Sequence, residues 1–136
     1  MGDDQAIGFI RTHHRAVLAT RRRDGGVQLS PVVATVDAQD RVVISTREGA
    51  MKTRNLRRDP HAWLCVMSDR FFGEWHGVEG TVAVLSLPEA MEPLVDYYRR
   101  VAGEHPDWDD YRRAMEREHR VLLRLRVERS GPTRVG

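Results

Sequence analysis

The chain carries 22 basic residues, and a single one of them is a lysine, Lys52. It lies just inside a predicted helix, between Gly49, which interrupts a strand pattern, and Pro60, before which a helix has to end. A lysine ammonium is a compact point charge, whereas an arginine guanidinium is a planar group, so the two bind anions with different geometry. In a chain that otherwise uses arginine, this placement favours a specific bound anion. The alternative is an ordinary solvated lysine on an amphipathic helix.

Polar side chains that can donate hydrogen bonds to an anion lie near Lys52 in the sequence. Ser45 and Thr46 end the preceding predicted strand, and Asn55 follows three residues after Lys52, on the same face of the helix. A helix N-terminus adds free N–H groups and a partial positive charge. These groups together predict an anion site at the junction between the strand and the helix.

Length and composition limit the class of protein. The chain has 136 residues, with 40% hydrophobic and 31% charged residues, which predicts one soluble globular domain over 1–136. It has no apolar run of membrane-spanning length, and its acidic N-terminus is unlike a signal peptide, so we expect a cytoplasmic protein. Cys65 is the one cysteine, which excludes an internal disulfide and favours a buried, inert thiol over a nucleophile.

The charge pattern argues against nucleic acid as a partner. Arginines occur in pairs and in the triplet Arg21-Arg22-Arg23, but acidic residues interleave with them and the net charge is only +2. A nucleic-acid-binding protein more often concentrates uncompensated charge on one stripe. Local basic patches would suit an anionic small molecule instead.

Periodicity along the chain predicts a small barrel. Alternating apolar residues predict six strands, at 15–21, 27–36, 41–46, 62–67, 75–86 and 121–127. Capping residues and helical spacing predict helices at 3–12, 50–59, 88–102 and 108–118, and 129–136 is predicted to be a loose tail. Pro31 marks an edge, a bulge or a bend, and Gly77 and Gly80 predict bulges. Because such a barrel has a small interior, a ligand is expected outside it or between subunits.

The remaining chemistry-bearing residues form no site by spacing alone. The six histidines lack metal-ligand spacing, so no metal site is predicted. Tyr97, Tyr98, Trp108 and Tyr111 recur at helical spacing and are predicted to belong to the core. His76, which follows Trp75, is a candidate proton donor to the substrate.

Four segments together resemble a known family. They are 52–60, which begins Lys52-Thr53-Arg54-Asn55, then 17–32 with its Asp24-Gly25 turn, 78–82 and 98–111. Their order and spacing resemble the pyridoxamine-5′-phosphate-oxidase-like (PPOX-class) family and, more narrowly, its branch that uses the deazaflavin coenzyme F420. The resemblance implies a mainly β fold with flanking helices, a six-stranded antiparallel split β-barrel (FMN-binding split barrel-like) with a helical insertion at about 88–118.

The resemblance also implies a homodimer with two coenzyme sites at its interface. Lys52 and its neighbours would hold the coenzyme phosphate, the strand surface near Ala19 and Pro31 would lie under the ring, and Trp75 would come from the second subunit. The implied coenzyme-binding residues are Leu18, Ala19, Thr20, Gln28, Ser30, Pro31, Val32, Ser45, Thr46, Arg47, Met51, Lys52, Asn55 and Trp75. Ala50 departs from the family pattern, in which another basic residue is common there, so we expect either that Arg47 or Arg54 compensates or that the phosphate affinity is lower.

The implied reaction is hydride transfer between reduced deazaflavin and an unsaturated bond of an organic substrate, with no protein nucleophile. The Arg21–Arg23 triplet either meets the anionic oligoglutamate tail of the coenzyme or is a solvated hairpin end. Three alternatives stay open: an FMN-dependent oxidoreductase of the same fold, a protein that binds flavin or deazaflavin without turnover, and a nucleic-acid-binding barrel.

Overall fold

The protein folds into a closed antiparallel barrel with helices around it. The computed structural model describes residues 2–135. The strands are β1 (Arg15–Arg21), β2 (Val27–Val36), β3 (Val42–Arg47), β4 (His61–Met67), β5 (Glu74–Leu85) and β6 (Arg120–Val135). The helices are α1 (Gly2–Thr12), α2 (Met51–Arg58), α3 (Met91–Ala102) and α4 (Trp108–Arg117). The strand order around the barrel is β1-β2-β3-β6-β5-β4. The predicted six-stranded antiparallel barrel is therefore confirmed.

Alternation along the strands fills the barrel interior. Leu18 of β1 and Leu64 and Val66 of β4 point inward and are buried, because side chains two apart share a face. Helix α1 packs Phe9 and Ile10 into the same core. Each fully buried aliphatic side chain of this kind stabilises the fold by about 1.5–3 kcal/mol. The interior is consequently a packed core, so a ligand has to bind elsewhere.

A second apolar layer lies outside the barrel, where α3 and α4 pack on β3 and β6. Val43 and Leu122 point outward into this layer and meet Leu94, Tyr111 and Met115. The helix predicted from Pro88 begins at Met91. Among residues 2–135, no helix combines the length and the apolar character that crossing a membrane requires.

The pairing between β2 and β3 is short. Residues 27–33 of β2 pair with β1, but only Ala34, Thr35 and Val36 pair with β3. The other edge of residues 27–33 is therefore open, and we call it the open edge. Pro31 lies on it, as the prediction of an edge position required, because a proline has no N–H to donate to a ladder.

The end of the chain differs from the prediction. Residues 129–136 were expected to be a loose tail, but β6 continues to Val135 and pairs with the first half of β5. Gly131 accommodates an irregularity there with a φ of 103°, which lets β6 stay in register with the long β5 strand. Gly136 lies outside the described residues. The segment Ser-Gly-Pro at 130–132 therefore belongs to a strand that contains a bulge.

Register shifts occur at the positions where Gly77 and Gly80 predict bulges, between His76 and Val78 and between Glu79 and Gly80, but the extra residues lie in β6 and not in β5. The second depends on glycine, because a Cβ at Gly80 would stand 1.8 Å from the main-chain oxygen of Arg126. The backbone of one strand would have to move to admit it.

We expect Gly80→Ala to lower the free energy of unfolding by about 1–3 kcal/mol, the usual cost of overpacking. Urea unfolding followed by circular dichroism measures it. Gly8→Ala is the matched control, since a Cβ at Gly8 meets nothing within 4 Å and lies in helix α1. Equal stability of the Gly80→Ala variant and the wild type would contradict the close strand contact.

Candidate functional site

Lys52 opens into a cavity of about 670 Å³ between β2, β3, α2 and the α3–α4 helices. We call it the Lys52 cavity. It is lined by Pro31, Val32, Val33, Ser45, Thr46, Lys52, Tyr97, Tyr98, Tyr111, Met115, Glu118 and Arg120. Of the residues predicted to bind a coenzyme, Pro31, Val32, Ser45, Thr46 and Lys52 therefore converge on one space.

The turn into α2 fixes the position of Lys52. The buried Thr53 hydroxyl donates to the carbonyl of Arg47 at 2.7 Å, which closes the connection between β3 and α2. Lys52 is the second residue of α2. Desolvation lowers the pKa of its ammonium, and the positive charge of Arg120 lowers it further. The attraction of an anion to the ammonium opposes both effects, so the cavity favours a negatively charged ligand.

Arg120 is the second cation of this cavity. Its Nε donates to Glu118 Oε1 at 2.8 Å, and Arg47 lies 3.7 Å from the same oxygen. The hydrogen bond from Arg120 holds the pKa of Glu118 below its usual value. The cavity thus has two cations against one ionised carboxylate. Arg54, which was expected to compensate for Ala50, lines a different cleft, whereas Arg120 shares the cavity with Lys52.

The open edge of β2 contributes main-chain groups to the same space. Arg22 N–H donates to Gly26 at 2.8 Å and Ala34 N–H to His14 at 2.9 Å, which places the β1 ladder bonds on even-numbered residues of β2. The main-chain groups of Leu29, Pro31 and Val33 therefore face the open edge. Between Pro31 and Val33, the N–H of Val33 is the one directed there, because Pro31 has none and that of Val32 points toward β1.

Three of the predicted residues form a buried polar group instead. Asn55 Nδ2 donates to Thr20 Oγ1 and to Gln28 Oε1, each at 3.1 Å. Its Oδ1 accepts from Arg58 at 3.1 Å, and the Asn55 side chain is fully buried. Asn55 therefore ties α2 to β1 and β2 and is engaged by protein groups, although its spacing from Lys52 suggested an anion ligand.

The other predicted residues lie apart from the Lys52 cavity. Leu18 and Ser30 are buried residues of the barrel strands, and Met51 is exposed on the other side of α2. Trp75 is half-buried at the start of β5, opposite Met67. His76 is buried against Phe9, and its Nε2 is 2.7 Å from Glu74 Oε2.

Trp75 and Ala19 belong to an apolar surface that we call the outer sheet face, made by the outward residues of β2, β1, β4 and β5. Ala19 stands between Leu29 and Trp63 in register, and Leu29 is 67% exposed. Cys65 lies half-buried on this face rather than in the core, and desolvation raises the pKa of its thiol. A cavity of about 260 Å³ lies in the face.

A second cleft, the basic cleft, lies on the far side of α2. It has a volume of about 450 Å³ and is lined by Arg22, Arg23, Asp24, Met51, Arg54, Asn55 and Arg58. Arg22 is held by Asp24 at 3.0 Å. Arg21 points elsewhere, since it lies 3.6 Å from Asp59 and 5.1 Å over the Trp63 ring. The arginine triplet is therefore divided between two surfaces.

Sequence reasoning missed the contributions of Tyr97 and Arg120. The tyrosines at helical spacing were assigned to the core, which is correct for the buried Tyr111, whose hydroxyl donates to Leu94 at 2.9 Å. Tyr97, however, directs its hydroxyl to the carbonyl of Val33 at 2.7 Å and lines the Lys52 cavity. Only the packing of α3 against the β2–β3 gap reveals this.

Comparisons with known proteins agree with this architecture. A family model described as pyridoxamine 5′-phosphate oxidase matches residues 3–133. A conserved hypothetical protein, Rv2991, from Mycobacterium tuberculosis is similar, with 23% identity, a TM-score of 0.77 and coverage of 96% of this chain and 82% of that one. An F420 reductase has 19% identity and a TM-score of 0.69, with 91% and 94% covered.

A putative 5-nitroimidazole antibiotic resistance protein from Bacteroides thetaiotaomicron VPI-5482 is also similar, with 13% identity, a TM-score of 0.74 and coverage of 98% and 84%. At such identities these structures support the fold and nothing finer. Because the family match extends over residues 3–133 and the strands close into the corresponding barrel, the chain belongs to the pyridoxamine 5′-phosphate oxidase family of split-barrel proteins.

Proposed function

We propose that the protein is a coenzyme F420-dependent oxidoreductase that reduces an unsaturated bond of a small organic substrate. The observation that carries the proposal is the Lys52 cavity, where two cations, two hydroxyl side chains and the open edge of a strand meet. This combination matches a ligand with a phosphate at one end and a flat polar ring at the other.

The residues present fit such a coenzyme. Lys52 and Arg120 would hold the phosphate by charge, and the Ser45 and Thr46 hydroxyls would donate to its oxygens. The N–H of Val33, which faces the open edge, would donate to a carbonyl of the ring and stabilise negative charge there. When bound, reduced deazaflavin supplies the hydride, so the protein contributes binding, orientation and electrostatics.

The basic cleft favours deazaflavin over FMN, the second candidate coenzyme. Both coenzymes have a phosphate and a three-ring system, but F420 also has an oligoglutamate tail. Arg23 and Arg54 of this cleft form no ion pair with a carboxylate of the described residues, so they remain available to an anionic chain. The oligoglutamate tail would leave the phosphate at the start of α2. The basic cleft lies on the far side of the same helix, so the tail could enter it.

A second copy of the chain would complete the site. The outer sheet face is apolar, and its Leu29, Val27 and Val33 side chains are exposed in one subunit. Trp75 lies on this face and away from the Lys52 cavity of its own subunit, so it would reach a coenzyme only from the partner. A symmetric dimer would bury the same face twice.

The proposal is tested by fluorescence titration with F420 and, in parallel, with FMN. Micromolar or tighter F420 binding with weak FMN binding supports it, and the reverse preference makes the protein an FMN enzyme of the same fold. Oxidation of reduced F420 that depends on an added substrate separates an enzyme from a protein that only stores the coenzyme. Binding of neither coenzyme would refute the proposal.

We expect Lys52→Ala to weaken F420 binding at least tenfold, because a charged hydrogen bond to phosphate contributes about 1.5–3 kcal/mol. The same titration measures it, with thermal unfolding as the check on folding. Arg113→Ala is the matched control, since it removes one positive charge from an exposed site of α4 outside both clefts. Equal affinities of Lys52→Ala and the control would exclude the phosphate role.

The double variant Arg23→Ala/Arg54→Ala should weaken binding of F420 several-fold and leave binding of a tail-less deazaflavin phosphate unchanged. Each exposed ion pair contributes about 0.2–1 kcal/mol, and salt screens it. Titration of both ligands at low and high salt measures the difference. A parallel loss for the two ligands would place the arginines at the phosphate or the ring rather than at the tail.

Leu29→Arg should convert a dimer into a monomer without unfolding it, because Leu29 is 67% exposed in the single chain and a charge there opposes burial. Sedimentation or light scattering gives the mass. Phe71→Arg is the control, being 80% exposed at the β4–β5 hairpin and outside the outer sheet face. A wild-type monomer, or an unchanged mass for Leu29→Arg, would rule out this interface.

A further inference from the structure

Glu118 is an acidic residue in a place where a negative charge is unfavourable. It follows the last residue of α4 as its C-terminal cap, where the helix dipole disfavours an anion. It also lines the Lys52 cavity, where two cations favour a negatively charged ligand. Residues that contradict local preferences are expected at functional sites, so the contacts of Glu118 call for an explanation.

The turn between α4 and β6 fixes the position of Glu118. His119 adopts a φ of 52°, which turns the chain from the helix into the strand. The main-chain N–H of Glu48 donates to the carbonyl of His119 at 2.8 Å, so this turn is attached to the connection between β3 and α2. Glu118 thereby lines the same cavity as Lys52, near the start of α2.

One role of Glu118 is structural. Arg47 of β3 and Arg120 of β6 are paired in register, and like charges in such a pair repel each other. Glu118 Oε1 accepts from Arg120 Nε at 2.8 Å and lies 3.7 Å from Arg47, so the carboxylate offsets this repulsion. A structural role alone predicts an effect of Glu118 on stability, whereas a role in ligand binding predicts an effect on selectivity.

The same carboxylate limits the positive charge of the cavity. Arg120 contacts Glu118 through Nε, and its two terminal nitrogen atoms form no hydrogen bond with residues 2–135. No carboxylate in this part of the chain pairs with the Lys52 ammonium. The lining residues thus carry two positive charges and the one negative charge of Glu118. Arg47 is exposed and does not line the cavity, so solvent and salt screen its charge.

The charge of a bound phosphate determines how strongly Glu118 opposes it. Coulomb repulsion is proportional to the ligand charge, and the cost of removing an ion from water rises with the square of that charge. A phosphodiester has one negative charge, whereas a phosphomonoester loses its second proton with a pKa of about 6 and is a dianion above that pH. One negative charge balances the lining residues, but a second one has no lining cation to neutralise it.

We propose that Glu118 is a specificity-determining residue of the Lys52 cavity, whose negative charge favours a phosphodiester over a phosphomonoester. The phosphate of F420 is a diester, because the tail continues from it, whereas FMN ends in a monoester. The inference rests on the proposed function where it names these coenzymes, and it supplies a reason for the preference between them. Small phosphate esters measure the selectivity of the cavity without either coenzyme.

The test compares the binding of phenyl phosphate, a monoester, and methyl phenyl phosphate, a diester, at about pH 8, where the monoester is a dianion. The amide signals of Ser45 and Lys52 in nuclear magnetic resonance spectra follow the titrations. We expect the wild type to bind the diester at least as tightly as the monoester.

Glu118→Gln removes the charge and keeps an amide oxygen that can accept from Arg120. The affinity for the diester should rise about threefold and that for the monoester about tenfold, because the repulsion is proportional to the ligand charge. For the same reason, FMN affinity should rise about threefold relative to F420 affinity. Glu118→Asn removes the same charge with a shorter amide and should shift both ratios in the same direction, which covers the case in which Glu118→Gln folds poorly.

Glu104→Gln is the matched control. Glu104 also accepts from an arginine, Arg99, through Nε at 2.8 Å, but it lies outside the Lys52 cavity. Its replacement makes the same change in net charge and should leave the ratio of the two ester affinities as it is in the wild type.

The outcomes separate this proposal from the proposed function. An unchanged ester ratio in both Glu118 variants, or binding of neither ester to any form of the protein, would overturn the specificity role and leave Glu118 as a partner of Arg47 and Arg120 alone. If the ratio shifts as expected but the wild type binds no F420, the role of Glu118 stands and the proposed coenzyme falls.

Discussion

The structure depends on the early end of the ladder between β2 and β3. A closed barrel normally satisfies the main chain of every strand on both sides, and here residues 27–33 of β2 are paired on one side only. Unpaired main-chain groups need other partners or a ligand. Tyr97 donates to one of them, the carbonyl of Val33, and Pro31, Val32 and Val33 line the Lys52 cavity. The cavity of the candidate site therefore lies beside incompletely paired strands rather than in a hollow interior.

Helix α2 borders the Lys52 cavity through Lys52, and its charged side chains face two different spaces. Asn55 fixes the helix to Thr20 and Gln28 through buried hydrogen bonds, so the helix cannot rotate without exposing unsatisfied amide groups. With that rotation fixed, Lys52 enters the cavity beside Arg120, whereas Arg54 and Arg58 face the basic cleft. This short helix thus directs the Lys52 ammonium into the Lys52 cavity and the guanidinium groups of Arg54 and Arg58 into the basic cleft.

Local patterns predicted most of the elements and the central residue of the site. The alternation of apolar residues located the six strands, and the break at Gly49 with the single lysine pointed to Lys52, which lines the cavity of the candidate site. Arg120 could not be found this way, because it reaches Lys52 only through the pairing of β3 with β6 across a long separation in sequence. Asn55 shows the limit of spacing arguments, since a residue near Lys52 on the helix turned inward to join β1 and β2. The composition of residues 129–135 does not indicate a strand, so the strand there was not predicted. It forms because this segment pairs with the first half of β5.

The open edge and the outer sheet face are two aspects of the same segment of β2. In a strand, main-chain groups lie in the plane of the sheet and side chains project from it. The side chains of Leu29, Pro31 and Val33 therefore form part of the outer sheet face, while their main-chain groups face the open edge, which borders the Lys52 cavity at Pro31 and Val33. A proline is accommodated at the centre of this segment because the N–H it lacks would have pointed to the unpaired side. Any molecule that covers the outer sheet face consequently packs on the strand that forms one wall of the cavity, so association at that face and ligand binding in the cavity both involve Pro31 and Val33.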